Sequence, residues 1–437
     1  MSIGDMPSES LTAIDLFCGA GGISTGLQWA GYDISWANDV DDAATETYRK
    51  NHPSVDCTTA DITTSELPAL DQSIDLVAGG PPCPPFSIVG RTKLDSLDGR
   101  DATTDSRTQL WKRLRDAVAK YDPDAFVMEN VQGMASAEND AGESVLQHIC
   151  GEFRNLGYSV DHWVVDAADF GVPQRRKRLL IIGTKKDTRP PRLEEWRTHR
   201  EPKSDRERTA RFVSQPEREQ TQETLDEYLE ANTDAASPAK PQSRVPWVTV
   251  AEAISDLPPL SPGGDRASDL HPPAAADRYE LPPVTQYQKW AREDAPTVST
   301  ENGKHEKLHN HEARYHNLAD LSLYSLLGAG TGWRIGDLPD KLQPYREDVF
   351  SDNYTKQQGD RPSSTVTAHI HKDGHMHIHP RQARSFTVRE AARIQSFPDR
   401  FVFPGSRTAA YRQVGNAVPP LLAESAGRAI RTVIEQG

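Results

Sequence analysis

Short apolar runs alternate with amphipathic stretches from about residue 12 to residue 184. Ala13-Ile14-Asp15-Leu16-Phe17 reads as a first strand, and Asp33 to Ala37, Ile74 to Ala78, Ala125 to Met128 and Leu179 to Gly183 read as further strands. Between them, Ser24 to Ala30 has helical spacing and is ended by Gly31, Asp41 to Asn51 stops before Pro53, and Leu110 to Tyr121 stops before Pro123. Val145 to Leu156 is a fourth helical stretch. Strands separated by helices of this length imply an α/β fold, a mostly parallel and doubly wound sheet.

The pattern changes near Lys185. From there to about Pro246 the chain is charged, proline-bearing and poor in apolar residues. Val248 to Leu257 regains helical spacing, Leu260 to Pro283 is again polar and proline-rich, and Arg314 to Leu327 resumes structured patterning. The sequence near Thr365 is strand-like, Thr387 to Gln395 reads as a helix, and Tyr411 to Ile434 reads as a tight loop followed by a C-terminal helix. These shifts divide the chain into an α/β region over 12–184, a smaller region with a variable insert over 185–407, and a closing segment, 408–437.

Composition narrows the classes. A chain of 437 residues has room for two domains. Its four cysteines, Cys18, Cys57, Cys83 and Cys150, form no CxxC pair, so neither a disulfide framework nor a zinc cluster is expected and a reducing setting fits. The first eleven residues lack the basic-then-apolar pattern of a signal peptide, and no apolar run approaches the roughly 18 residues of a membrane span. The formal net charge of −14 weighs against a nucleic-acid partner in sum, yet binding needs only a local basic face, and Arg175-Arg176-Lys177-Arg178 is one. The acidic excess fits either an ordinary acidic protein or one adapted to high salt, where screening makes such a surface tolerable.

Five stretches carry chemistry. Asp15-Leu16-Phe17-Cys18-Gly19-Ala20-Gly21-Gly22 is a strand feeding a glycine loop, which lets backbone approach a ligand at the carboxyl end of a sheet. Asp39 follows Gly19 by twenty residues, about where a nucleoside-binding fold keeps a carboxylate for ribose hydroxyls. Gly79-Gly80-Pro81-Pro82-Cys83-Pro84-Pro85 holds a cysteine on a stiff loop after a strand, a way to present a thiol rather than bury it. Met128-Glu129-Asn130-Val131 puts a carboxylate at a strand's carboxyl end, and Gln174-Arg175-Arg176-Lys177-Arg178 precedes another strand. In an extended run, Arg176 and Arg178 share one face. Gln413-Val414-Gly415-Asn416-Ala417-Val418-Pro419-Pro420 precedes the last helix.

Taken in order, with Thr387-Val388-Arg389-Glu390 and Gln395-Ser396-Phe397-Pro398, these elements resemble the DNA (cytosine-5) methyltransferases of prokaryotic type over roughly residues 12–184 and 361–430. The resemblance implies a catalytic and cofactor-binding domain with a Rossmann-like sheet over 12–184, a smaller target-recognition domain with a variable insert over 185–407 and a segment, 408–437, that returns to the first. It also implies S-adenosyl-L-methionine as methyl donor and a cytosine flipped out of double-stranded DNA as acceptor. It implies that Cys83 adds to carbon 6, that Glu129 contacts ring N3 and the exocyclic amine, and that Arg178 holds O2 with Arg176 as its near neighbour. For the cofactor it implies Phe17 against adenine, Gly19 and Gly21 beside the methionine part, Asp39 on the ribose and Asp61 near the adenine amine. Val40 lies against adenine where the family often has a larger residue, and Asn416 closes the cofactor and Cys83 side. Pro84 replaces a glutamine frequent in the family, which removes one amide contact to DNA.

The same reading expects a monomer in the cytoplasm, associated with the nucleoid, acting in restriction-modification with a cognate restriction endonuclease or alone. RNA cytosine methylation and a catalytically dead DNA binder are the alternatives; the long insert argues against the first, and intact Cys83, Glu129, Arg176 and Arg178 against the second. Arg314, Tyr315, Trp333 and Arg334 of the insert are candidates for reading DNA. The histidine run from His369 to His379 reads as a polar hairpin turning at Asp373-Gly374, with no metal expected.

Overall fold

The computed structural model describes residues 10–82, 109–139, 141–204, 207, 240–241, 243–262, 274–296, 307–328, 332–343 and 354–436. Seven strands form one sheet: β1 (Leu11–Leu16), β2 (Tyr32–Asp39), β3 (Asp56–Thr59), β4 (Leu76–Gly79), β5 (Ala125–Val131), β6 (Tyr158–Asp166) and β7 (Lys177–Lys185). Their order is β3-β2-β1-β4-β5-β7-β6. The first five run parallel, and β7 pairs antiparallel with both β5 and β6.

Alternation along each strand assigns its apolar residues to two faces. Ala13, Leu76, Ala78, Ala125, Val127, Leu180 and Ile182 face one core with α1 (Gly22–Trp29), α2 (Asp42–Asn51) and the C-terminal helix. Ile14, Leu16, Val77, Phe126, Met128, Leu179 and Ile181 face the other, with α3 (Trp111–Tyr121) and α4 (Val145–Asn155). Phe126 stacks on Phe153 of α4 at 4.0 Å. Burying a ring such as that of Phe153 contributes ~1.5–3 kcal/mol. Local chemistry fixes the helix starts: Asp41 caps α2 by accepting from Ala44 N–H, and Ser144 caps α4 by accepting from Gln147 N–H.

A second core gathers α5 (Val250–Ile254), α6 (Gln286–Lys289), α8 (Val388–Ile394) and α9 (Arg407–Asn416) around Phe386, Phe397, Phe401 and Phe403. The remaining helix of this region, α7 (Leu318–Leu326), covers a small satellite core of Leu323, Tyr324, Leu327, Ile335, Tyr354 and Ile378. Capping boxes start α5 and α8, Thr249 with Glu252 and Thr387 with Glu390. Glu390 is also held at both oxygens by Arg384, at 2.7 Å each. Burial alone would raise its carboxyl, but the Arg384 charge and hydrogen bonds hold it well below the usual carboxylate range.

The chain's last stretch is divided. Ala410, Tyr411 and Val414 of α9 bury in the second core, whereas α10 (Pro420–Ile434) packs Leu422, Ala423, Ala426 and Ile430 beside α1 on the sheet. Gly26 permits that crossing, since a Cβ there would stand 2.3 Å from the Pro420 carbonyl oxygen. Among the described residues no helix is long and apolar enough to cross a membrane.

Several expectations are corrected. Tyr411 to Asn416 is the second half of a helix capped by Ser406, not a loop. No strand forms near Thr365; Val366 is anchored instead by Gln174, whose side-chain oxygen accepts its N–H at 2.7 Å. The histidine run is two 3-10 turns, Ala368–His371 and His375–His377, rather than a hairpin. Gly374 does adopt the left-handed turn conformation, φ 73°, but His375 and His377 after it contact Tyr324 and Phe386 instead of pairing with the residues before it. β3 and β6, which the apolar pattern does not announce, are the two edge strands.

Candidate active site

The strand registers align the predicted site residues in one row. Leu16 of β1 pairs with Asn38 of β2 and Gly79 of β4, Gly79 pairs with Met128 of β5, and Asp39 pairs with Thr59 of β3. Phe17, Asp39, Gly80 and Glu129 therefore emerge together at the carboxyl ends of parallel strands, where ligands bind in open α/β sheets. β7 runs the other way, so its first residues reach the same edge, and Arg178 pairs with Val131.

In this row Arg178 Nε donates to Glu129 Oε1 at 2.8 Å, both side chains being largely buried. Burial presses against the charged form of Arg178, and Glu129 counters it. Gly80 lies against the pair, since a Cβ there would stand 3.2 Å from Glu129 Oε2. The Asn130 side-chain amide donates to the Pro81 carbonyl at 3.0 Å, fixing the root of the cysteine loop. Cys83 and Pro84 themselves lie outside the described residues.

Arg176 is placed differently from its neighbour. Its guanidinium donates to the carbonyls of Val366 at 2.6 Å, Gly415 at 3.2 Å and Ala417 at 3.1 Å. Burial is the main force against its charge, with Arg178 adding to it; the Glu129 charge opposes both, and the three carbonyls accept the guanidinium's N–H groups. Gln174 and Gln395 extend this buried seam: Gln174 Nε2 donates to Gln395 Oε1 at 2.9 Å, and Gln395 Nε2 donates to the Val414 carbonyl at 2.6 Å. Arg176 thus ties the β7 entrance to the segment after α9 and does not point at Glu129. Arg175 turns outward to Asp166 at 2.5 Å and lies 4.3 Å over the Trp247 ring.

At the glycine loop, Phe17 adopts φ 60°, a left-handed conformation unusual for a ring-bearing residue. Gly21 has φ 101°, and a Cβ there would stand 2.6 Å from His52 Nε2, so only glycine fits. A Cβ on Gly19 would meet nothing within 4 Å, which leaves space above the loop. Asp39 accepts from Gly19 N–H and Asp41 N–H, one oxygen each at 2.9 Å, so each oxygen keeps acceptor capacity for a hydroxyl. Val40 beside it is 68% exposed, an apolar surface facing outward at the same lip. Asp61 is exposed and turned back on its own chain, accepting from Thr63 N–H at 2.9 Å and Thr63 Oγ1 at 2.7 Å. Asn416 is the exposed last residue of α9.

Beneath the loop is a group that motif reading passes over. Asp15 is fully buried, its Oδ2 accepts from Ser24 N–H and hydroxyl, and its Oδ1 has no partner. Burial pushes its carboxyl up to about 7 against the pull of Ser24. A charged residue inside an apolar strand run was its signal. Asn130, Gln174 and Gln395 carried none, because neutral amides look alike in sequence whether buried or exposed. Of the insert candidates, Arg314 is occupied structurally, donating to the Ile370 carbonyl at 2.7 Å and lying 4.7 Å over the Tyr411 ring. Tyr315 and Trp333 are exposed.

Comparison with known proteins agrees with this geometry. The profile of the C-5 cytosine-specific DNA methylases matches residues 11–432. The type II methyltransferase M.AgeI of Thalassovita gelatinovora is 31% identical over 97% of this chain and 100% of its own length. M.DdeI of Desulfomicrobium norvegicum, also a type II methyltransferase, is 31% identical over 97% of this chain and 89% of its own. A solved structure described as a DNA modification methyltransferase encoded within an E. coli prophage superposes with a TM-score of 0.66 at 23% identity, covering 98% of this chain and all of the other, which shows the shared fold. The row of side chains at the strand ends, the profile and the full-length relatives together place this chain in the C-5 cytosine-specific DNA methylase family.

Proposed function

We propose that this enzyme methylates carbon 5 of a cytosine swung out of duplex DNA, at a specific sequence, through a transient covalent bond to Cys83. The observation that carries the proposal is the Glu129–Arg178 contact beside the Gly80-Pro81 root of the cysteine loop. Carbon 5 of cytosine is a weak nucleophile. Addition of the Cys83 thiolate to carbon 6 breaks the 5,6 double bond and makes carbon 5 enamine-like. Glu129, oriented by Arg178, accepts a hydrogen bond from the exocyclic amine and, carrying a proton, donates it to N3 as charge develops in the ring, while Arg178 has further N–H groups for O2. After methylation the carbon 5 proton leaves, the 5,6 double bond re-forms and Cys83 is expelled. Flipping is required because neither face of the ring is reachable inside the stack.

S-adenosylmethionine, when bound, supplies an electrophilic methyl group. The residues present fit it. The open space over Gly19, the spare acceptor capacity of Asp39, the Phe17 ring and the exposed Val40 surface make one lip at the strand ends. Asp61 would serve the adenine amine only after releasing Thr63, and Asn416 would close the site from the end of α9. Restriction-modification with a cognate nuclease, or action alone, fits the type II relatives, with a monomer in the cytoplasm as the working form. Bisulfite sequencing of host DNA with and without the gene reads the modified base and its context together. Cys83→Ala is expected to abolish methylation and retain cofactor binding; full activity in that variant would end the mechanism.

A further inference from the structure

The histidine run contains a site that cytosine methylation does not use. His375 separates from its neighbours in sequence and meets His316, just before α7, and Asp320 in the first turn of α7. One ligand atom from each of the three lies within 4.8 Å of the others. The Tyr324 hydroxyl is 3.1 Å from His316 Nδ1 and 2.7 Å from His375 Nδ1, so the two imidazoles converge on one point. We infer that His316, Asp320 and His375 form a binding site for a divalent transition metal of the zinc class, with the Tyr324 oxygen or a water as fourth ligand.

Two imidazole nitrogens and one carboxylate are a borderline N/O donor set, which suits zinc and its neighbours rather than magnesium or calcium. With metal–donor bonds near 2.0 Å, a tetrahedral site needs donors about 3.3 Å apart. The donors now lie within 4.8 Å of one another and would close further around a bound ion. The surroundings supply the outer shell such sites require. His316 Nε2 lies 3.0 Å from Ser385 Oγ and accepts from Ser385 N–H at 3.3 Å, so binding metal through Nδ1 would move the ring proton to Nε2, where the Ser385 hydroxyl becomes its acceptor in place of that backbone bond. Tyr354 donates its hydroxyl to Asp320 Oδ1 at 2.9 Å and stacks its ring on His375 at 4.1 Å. Burial pushes His316 down to about 3 and lowers His375 as well. Asp373 and Arg314 act on the cluster with opposite signs. The satellite core under α7 is small. A metal joining α7 to the 375–377 turn adds the staple that so few apolar contacts lack.

The test uses the whole chain, stripped with EDTA and titrated with zinc alone, and cobalt as a spectroscopic probe. One equivalent of zinc is expected to bind and raise Tm, and cobalt is expected to give the visible absorption of a four-coordinate site. Asp320→Asn and His375→Gln are expected to lose both signals. Tyr354→Phe keeps the stacked ring and removes the hydrogen bond to Asp320, so it reports even where a ligand variant does not fold; zinc binding is expected to weaken ~10-fold or more. Absence of zinc binding to the wild-type chain, or binding unchanged in Asp320→Asn, His375→Gln and Tyr354→Phe, overturns the inference.

Discussion

Glu129 and Arg178 come from strands that run in opposite directions, and only the β5–β7 register brings them to 2.8 Å. Glu129→Gln keeps the shape but removes the charge that orders Arg178. Turnover is expected to fall ~10²–10⁴-fold, with DNA affinity within a few-fold; single-turnover kinetics beside a binding titration separates the two. Asp15 offers a test of a different kind. Its folded pKa, raised to about 7, stands above the unfolded value, so the folded state binds more protons between about pH 4 and pH 7. Stability contributed by the protonated form is present below the unfolded pKa and is lost as pH rises through 7, a few kcal/mol at most. Asp15→Asn is expected to remove that slope and to be more stable than wild type at pH 8, checked by Tm against pH. A wild-type curve parallel to that of the variant contradicts the burial argument.

At the level of elements, the α1–α10 crossing depends on Gly26. Gly26→Ala forces a methyl into the Pro420 carbonyl and the Ala423 methyl, and should cost ~1–3 kcal/mol, read by denaturant unfolding. Which elements the sequence discloses follows from where each is buried. β1, β4, β5 and β7 are interior strands with apolar residues on both faces, so their runs are plain in sequence. β3 (Asp56-Cys57-Thr58-Thr59) and β6 are edges, half polar, and β6 carries Asp161 and His162, one on each face, so neither stands out. α9 was hidden because Gly415 and Asn416 signal a turn when they are only its end. The histidine run misleads for a tertiary reason: period-two alternation suggested strands, whereas His377 is buried beside Phe386 and His375 is drawn to Tyr324. The position of the candidate site was legible wherever motif residues stand at strand ends, as at Phe17, Asp39 and Glu129. It was not legible for Arg176, because sequence cannot tell an arginine facing a substrate from one clamping three carbonyls.

For the molecule as a whole, the sheet and the core around Phe386 are joined both by apolar contacts, such as Trp29 on Trp290 and Leu421 between the two, and by polar bonds: Arg176 to Val366, Gly415 and Ala417, Gln174 to Gln395, Thr47 to Gln413 and Asn51 to Val402. Hydrogen bonds of this kind fix relative placement more than they add stability. The net charge of −14 adds self-repulsion that salt screens, so Tm is expected to rise with KCl concentration; a maximum at low salt would count against that view. The central claim concerns one covalent bond between a cysteine and an extruded cytosine. It is tested most directly by incubating the protein with cofactor and a duplex carrying 5-fluorocytosine at the methylated position, then mapping the cross-linked peptide by mass spectrometry. The account predicts a stable adduct at Cys83; an adduct on another residue, or none from a preparation that methylates ordinary DNA, contradicts it.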